Sequence, residues 1–405
     1  MLASPRLPLL ESRSGRFLTA LGFAGVVAVA ALVHHEALLQ PSPQQDEPVF
    51  VEAAERLSAG ASPYSQERFN YPPPLAALGA LALELSGPGL VLGLVRSANV
   101  LAVAAIAVFA AGFAGVSGRR RFALAAALVA LLPVVQYTLW IGNLTPIAVG
   151  LALAGWQLGK RRPLLGAAWV GVSLAFKPIA LVGALHLSAR WLLGRQDGRR
   201  RASAAVEAFA WVPVTVLCLL PWVGELPALF QRMAEPPLFS SRNLSLRRVF
   251  DGFGIEMPAA AITVTVLAVA LLLTRRRPVD DVDRVHTAPV VALLALPVAW
   301  AHGFLFVMPL QVAAARHWWE RRARRREPSW RTVAERWGVP LALALIQASA
   351  SAGVEFDAPA SVRSIVVLLP MLSPLALLIY LRLARSPRPA KPGGAAPGPS
   401  LDSRP

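Results

Sequence analysis

Apolar runs long enough to cross a bilayer alternate, along most of this chain, with short bursts of arginine. A helix needs about 20 residues to traverse a hydrocarbon core about 30 Å thick. The runs are continuously apolar and do not alternate residue by residue, so they read as helices and not as barrel strands. Composition agrees: with 55% hydrophobic and 16% charged residues and a mean hydropathy of +0.52, the chain is too poor in polar groups for a water-soluble domain. The expected fold class is an all-α polytopic membrane protein.

The net charge of +17 raises the question of nucleic acid. The basic residues, however, cluster at Arg6/Arg13/Arg16, Arg119–Arg121, Lys160–Arg162, Arg190–Arg201, Arg275–Arg277, Arg316–Arg326 and Arg382–Lys391, in short bursts between apolar runs and not interleaved with aromatics on a soluble surface. That is the pattern of cytoplasmic loops under the positive-inside rule, and no nucleic-acid partner is expected. Cys218 is the only cysteine, which excludes disulfides and thiolate metal sites within one chain.

If every basic cluster faces the cytoplasm, an even number of spans separates each neighbouring pair. Three apolar runs lie between Arg16 and Arg119, at 17–39, 72–85 and 90–113, and only two can cross. The middle run is short, opens with prolines and ends in Ser-Gly-Pro-Gly, so it is expected to lie at or re-enter the outer surface. Residues 40–88 then form one large outer loop with juxtamembrane helices. Further spans are expected near 122–139, 143–158, 163–176, 178–193, 204–221, 257–273, 286–300, 303–316, 337–352 and 361–383. The total is about twelve, with both termini cytoplasmic. Residues 17–33 lack a convincing cleavage motif and read as a retained first span. The membrane domain is expected over 1–385, with a second large outer loop at 222–256. The Pro-, Gly- and Ala-rich tail at 386–405 is expected to be disordered.

This topology gathers the polar residues that are hardest to explain structurally onto one face. Asp46 and Glu47 follow the first span, where a partly shielded carboxylate suits taking a proton from a hydroxyl; the plainer alternative is a solvated loop. Lys177 is one of only three lysines among 40 basic residues, and it alone lies outside a basic cluster or the tail. A point positive charge there suits a phosphate, though a lysine can also snorkel to the interface. Arg247 and Arg248 also break the charge rule; they suit bidentate phosphate binding, or pairing with loop acids such as Glu225 and Glu235. His302, beside Trp300, suits a hydrogen bond or a proton to a leaving phosphate, or a satisfied interfacial site. No Gly-rich phosphate loop, Walker motif or dinucleotide fingerprint occurs. No metal and no cofactor is expected.

An acid after the first span, an alanine-rich segment ending in Gly60 and Pro63-Tyr64, then Phe69-Asn70-Tyr71-Pro72-Pro73 resemble the membrane-embedded glycosyltransferases of family 87, the domain of unknown function 2029 group of the GT-C superfamily. The later order Gly142-Asn143, Lys177-Pro178, Asn243-Leu244-Ser245-Leu246-Arg247 and Trp300-Ala301-His302 is similar too. The resemblance implies a GT-C transferase that takes a mannose- or arabinofuranose-like sugar from a polyprenyl-phosphate donor and places it on a lipid-linked or cell-envelope glycan at the outer face. The setting implied is a bacterial inner membrane.

In that scheme Asp46 is the general base, and Lys177, Arg247, Arg248 and His302 hold and stabilise the donor phosphate. Glu47, Tyr71, Asn143, Asn243, Ser245 and Trp300 line the substrate. Glu47 either shares the base role or holds the acceptor. The family pattern Gly-Gln-x-Asn is replaced here by Gly142-Asn143-Leu144-Thr145, so the sugar is left open. Two other classes stay open: a lipid or solute transporter gated by Asp46 and Lys177, against which stands the lack of an internal repeat, and a non-catalytic envelope-assembly protein.

Overall fold

A computed structural model describes residues 13–33, 35, 46–65, 68–193, 205–206, 208–234, 244–274, 279–280, 282–296, 299, 301–324, 330–348 and 360–385. The described residues are 88% helix and include no strand, which bears out the all-α class. The tail at 386–405 lies outside the described residues.

Prolines set most helix starts, because a first-turn proline loses no intrahelical bond and arrives with helical φ. After α1 (Arg13–Val33), they lie in the first turn of α2 (Glu47–Ser58), α3 (Pro73–Ser86), α4 (Pro88–Phe113), α6 (Pro133–Ile141), α7 (Thr145–Gly159) and α8 (Pro163–Phe176). α5 (Gly118–Leu131) meets α6 at a 65° bend. Leu132 there takes the extended conformation that a residue before proline prefers. The single span expected at 122–139 is thus a broken one.

The chain turns by 119° at Lys177 before Pro178–Ala180 and α9 (Leu181–Leu193). The span expected at 204–221 also needs correction. Residues 205–206 and 208–209 are helical, a turn at Ala210 leads into α10 (Trp211–Leu219), and the chain passes a tight 3₁₀ stretch at Leu220–Glu225 and continues as α11 (Leu226–Ala234), so the start of the expected 222–256 loop is helical.

Among the described residues, three helices are long and apolar enough to cross a membrane, five if each bent pair is one span. Shorter apolar helices, among them residues 17–33 and α13 (Ala259–Thr274), fall below that length. The protein is therefore a helical membrane protein, while the expectation of about twelve crossings goes beyond what helix length carries. The reason is physical: many expected spans are cut by turns. The stretch expected at 286–300 is a π-turn at Asp283–Thr287 followed by the short α14 (Ala288–Ala295). That expected at 303–316 is a 3₁₀ turn at Ala301–Val307 followed by α15 (Met308–Arg324).

Lipid tails are as apolar as leucine, so close approach and polar bonds decide how such helices pack. α7 and α8 cross so tightly that a Cβ on Gly155 would stand 2.7 Å from the Gly166 carbonyl oxygen. Ser173 Oγ donates to the Ala148 carbonyl at 2.8 Å along the same antiparallel seam. The first residue of α7, Thr145, is thereby carried beside the end of α8, where Lys177 follows. At another seam a buried ion cluster joins α9 to α17 (Ala360–Arg385): Asp283 takes Arg190 at 3.3 Å and Arg382, which also donates to Thr287.

Outside this bundle, α2 and α3 fold over a separate small core of Val49, Phe50, Tyr64, Phe69, Tyr71 and Leu144. Phe69 is fully buried, worth about 2 kcal/mol for a side chain of this size. This core fixes Tyr71 and seats the start of α2 on the end of α6, where the Asp46 amide donates to the Ile141 carbonyl at 3.0 Å.

Candidate active site

Asn143 is the hub of the site. α6 ends at Gly142, whose φ of +72° reverses the chain so that Asn143 turns inward, 4% exposed. Its amide oxygen accepts from the Thr145 backbone N–H at 2.9 Å and from Thr145 Oγ1 at 2.6 Å. Two donors on one atom fix the amide's orientation, so Nδ2 points the other way. It donates to Asp46 Oδ2 at 2.6 Å and to the Tyr71 hydroxyl at 2.7 Å.

Lys177 closes the cluster. Its Nζ donates to Thr145 Oγ1 at 2.8 Å, to Asn143 Oδ1 at 3.1 Å and, weakly, to the Tyr71 hydroxyl at 3.4 Å. It also stands 4.7 Å from the centre of the Tyr71 ring, within cation–π range. A carboxylate and an ammonium are therefore held on opposite ends of one amide, without quenching each other in a direct ion pair.

Asp46 keeps 25% of its side-chain surface open, and its second oxygen, Oδ1, lies 4.0 Å from Arg68. One oxygen is oriented by Asn143 while the other has, among the described residues, only Arg68 at 4.0 Å on a partly exposed side chain, an arrangement a proton acceptor can use. The Tyr71 phenol is pushed well above its ordinary pKa, by burial first and the Asp46 charge second, with the Asn143 hydrogen bond opposing. Tyr71 therefore serves as a neutral hydroxyl.

The two neighbouring acids have different surroundings. Glu47 is 0% exposed, and both its oxygens are taken by the Arg96 guanidinium, at 2.9 and 2.8 Å. The expectation that Glu47 contacts substrate or shares the base role meets no open surface: its carboxylate is enclosed because a fully buried charge needs a fork of donors.

His302 lies in the 3₁₀ turn, 3% exposed, and feels the Lys177 charge. Burial first and that ammonium second disfavour a proton on its ring, so a hydrogen bond suits it better than acid catalysis. Ser245 caps α12 (Leu246–Gly252) by accepting from the Arg248 backbone N–H at 3.3 Å. Arg247 and Arg248, on that short helix, are half-buried, and their side chains share no hydrogen bond with the Asn143 cluster among the described residues. Asn243 and Trp300 lie outside the described residues.

Of the expected residues the structure brings together Asp46, Tyr71, Asn143 and Lys177, with His302 in electrostatic range. Two partners went unread. Thr145 entered only as the last residue of Gly142-Asn143-Leu144-Thr145, with no role of its own. Arg96 carried a usable signal, a lone charge inside an apolar run, which in a membrane segment marks a site by default.

The model of glycosyltransferase family 87 matches residues 69–298, more than half of the chain. The matched range takes in Tyr71, Asn143, Thr145, Lys177, Arg247 and Arg248; Asp46 and His302 lie outside it. A comparison with curated proteins and one with solved structures each return no match.

Proposed function

We propose that this chain, which belongs to glycosyltransferase family 87, moves a sugar from a polyprenyl-phosphate donor to a hydroxyl of a lipid-linked or cell-envelope glycan acceptor. Membership makes it a membrane glycosyltransferase; donor, acceptor and the roles below are our reading. The observation that carries it is the Asp46–Asn143–Lys177 chain of contacts, which sets a half-open carboxylate and an ammonium a few ångströms apart on one rigid amide.

In this reading the acceptor hydroxyl gives its proton to Asp46 Oδ1 as its oxygen attacks the anomeric carbon from the face opposite the phosphate. The bond from that carbon to the phosphate oxygen breaks, its electron pair leaves with polyprenyl phosphate, and configuration inverts. Lys177 meets the growing negative charge, where preorganised positive charge contributes most. His302 adds a hydrogen bond. Arg247 and Arg248 hold the donor's remaining phosphate oxygens, while Tyr71, Ser245, Asn243 and Trp300 line the pocket. Mannose and arabinofuranose are the sugars of choice.

All four clustered residues belong to segments read as outer loops, which supports a site on the periplasmic side of a bacterial inner membrane. It agrees with a GT-C topology that has both termini in the cytoplasm and a membrane domain over 1–385.

The test is transfer by purified protein in lipid nanodiscs, offered radiolabelled polyprenyl-phosphate mannose and polyprenyl-phosphate arabinofuranose in parallel, with a membrane lipid extract as acceptor. Label entering a glycolipid with wild type and not with Asp46→Asn is expected. Full transfer by Asp46→Asn removes the base role, and no transfer from either donor by folded wild type overturns the donor assignment.

A further inference from the structure

Asp46 and Glu47 are chain neighbours, yet one is half open and the other sealed. Residues 46 and 47 lie along residues 141–143 as a short seat. The Asp46 amide donates to the Ile141 carbonyl, the Glu47 side chain crosses Gly142, and the Asp46 carboxylate meets Asn143. The crossing is close: a Cβ on Gly142 would lie 2.6 Å from Glu47 Cγ. Glycine at 142 therefore answers two demands, the left-handed turn and the passage of Glu47.

Beyond Gly142 the Glu47 carboxylate ends on Arg96. The guanidinium gives Nε to one oxygen and Nη2 to the other, the parallel fork that fixes direction as well as distance. Arg96 is itself only 10% exposed and sits within α4, a helix long and apolar enough to span. A guanidinium in such a helix is costly unless it has a task. The helix that carries Asp46 is thus tied at its first residue to α4.

We infer that Arg96, acting through Glu47, is a positioning residue that holds Asp46 in register with Asn143. The inference rests on the reading of Asp46 as base, and it gives Glu47 a tethering task in place of a share in proton transfer. Losing the fork lets the start of α2 shift along the seat, and a displacement of about 1 Å at a reacting group lowers turnover about a hundredfold. The donor phosphate is held from other elements, so its binding is left nearly unchanged.

The experiment compares Arg96→Gln, Arg96→Lys and the double variant Glu47→Gln/Arg96→Gln with wild type, in nanodiscs, using the same two radiolabelled donors. Glu52→Gln, whose carboxylate pairs with Arg56 on the same helix at 45% side-chain exposure, is the control. The double variant leaves no uncompensated buried charge, so it keeps the test open if the single variants fold poorly.

The expected result is a kcat about a hundredfold lower in Arg96→Gln and in the double variant, with donor KM within about threefold. Arg96→Lys, which keeps the charge but not the fork, recovers part of the loss. Hydrogen exchange speeds up over residues 46–58 and stays unchanged over residues 308–324. A double variant with wild-type kcat, or with unchanged exchange over 46–58, overturns the inference. Loss of kcat accompanied by an equal loss of donor binding also overturns it. If wild type transfers from neither donor, the donor assignment has failed, and the exchange data alone decide: a rise confined to residues 46–58 upholds the tether, and no rise overturns it.

Discussion

Asp46 and Asn143 are 97 residues apart in the chain and meet at 2.6 Å, the amide donating to the carboxylate. The bond joins the turn between α6 and α7 to the start of α2, and the functional reading of this protein passes through it.

Replacing Asn143 with alanine removes the donor on Asp46 and one acceptor of Lys177 together. Loss of a single preorganised donor of this kind costs about a hundredfold in turnover. Donor KM is expected to change little, since Lys177 keeps Thr145 and the Tyr71 ring. Steady-state transfer kinetics with varied donor separate the two parameters.

Lys177 is expected to tolerate no substitution. Its Nζ fits three oxygens at 2.8, 3.1 and 3.4 Å, a point-charge geometry that the wide, planar guanidinium of arginine does not match. Lys177→Met and Lys177→Arg should both lower kcat/KM by at least about a thousandfold, near the upper end for loss of one electrostatic contact. Recovery of activity in Lys177→Arg would show that charge alone suffices.

Two of the four tyrosines should resist alkali. Burial raises both the Tyr64 and the Tyr71 phenols above their ordinary range, with Glu225 adding to the first and Asp46 to the second. Titration of the phenolate band in folded wild type, Tyr64→Phe and Tyr71→Phe checks it: neither substitution should remove any of the absorbance that appears as pH passes about 10, where free tyrosine titrates. The sign for stability follows. Above pH 10 the unfolded chain has lost protons that the folded one retains, so stability falls as pH rises through that range and is unaffected below it. Tyr71→Phe should weaken that slope.

Asp283→Ala tests the buried ion cluster remote from the site. Asp283 is 0% exposed and Arg190 1% in their side chains, so the substitution takes a charged partner from a buried guanidinium. A loss of about 3–5 kcal/mol of stability is expected, the usual cost of removing one partner of a buried pair. Thermal unfolding followed by detergent-solubilised size exclusion checks it, with Asp46→Asn expected to unfold near the wild-type temperature.

The residues that the sequence made visible were those that break a rule. Lys177 stood out as a cation on the wrong side of the charge pattern, and Asp46 as an acid at the end of a span; both are in the cluster. Asn143 and Tyr71 were carried in by their place in a familiar order of motifs. Thr145 breaks no rule, and nothing but the crossing of α7 and α8 reveals that it holds both the amide and the ammonium. Glu47 shared every sequence property of Asp46, so their separation into a sealed ion pair and a half-open carboxylate was not legible.

Hydropathy and the spacing of arginines by themselves determined the helical membrane class, because lipid leaves a backbone no other way to satisfy its polar groups than within the helix. They determined too which polar residues had no structural excuse. Where the helices break, at Leu132 and at Lys177, and which residues then meet, the tertiary structure alone decided. Proline marks a possible break, but the bend is set by what packs across it, and contacts between residues 46, 71, 143 and 177 depend on the relative placement of four separate elements that no local pattern encodes.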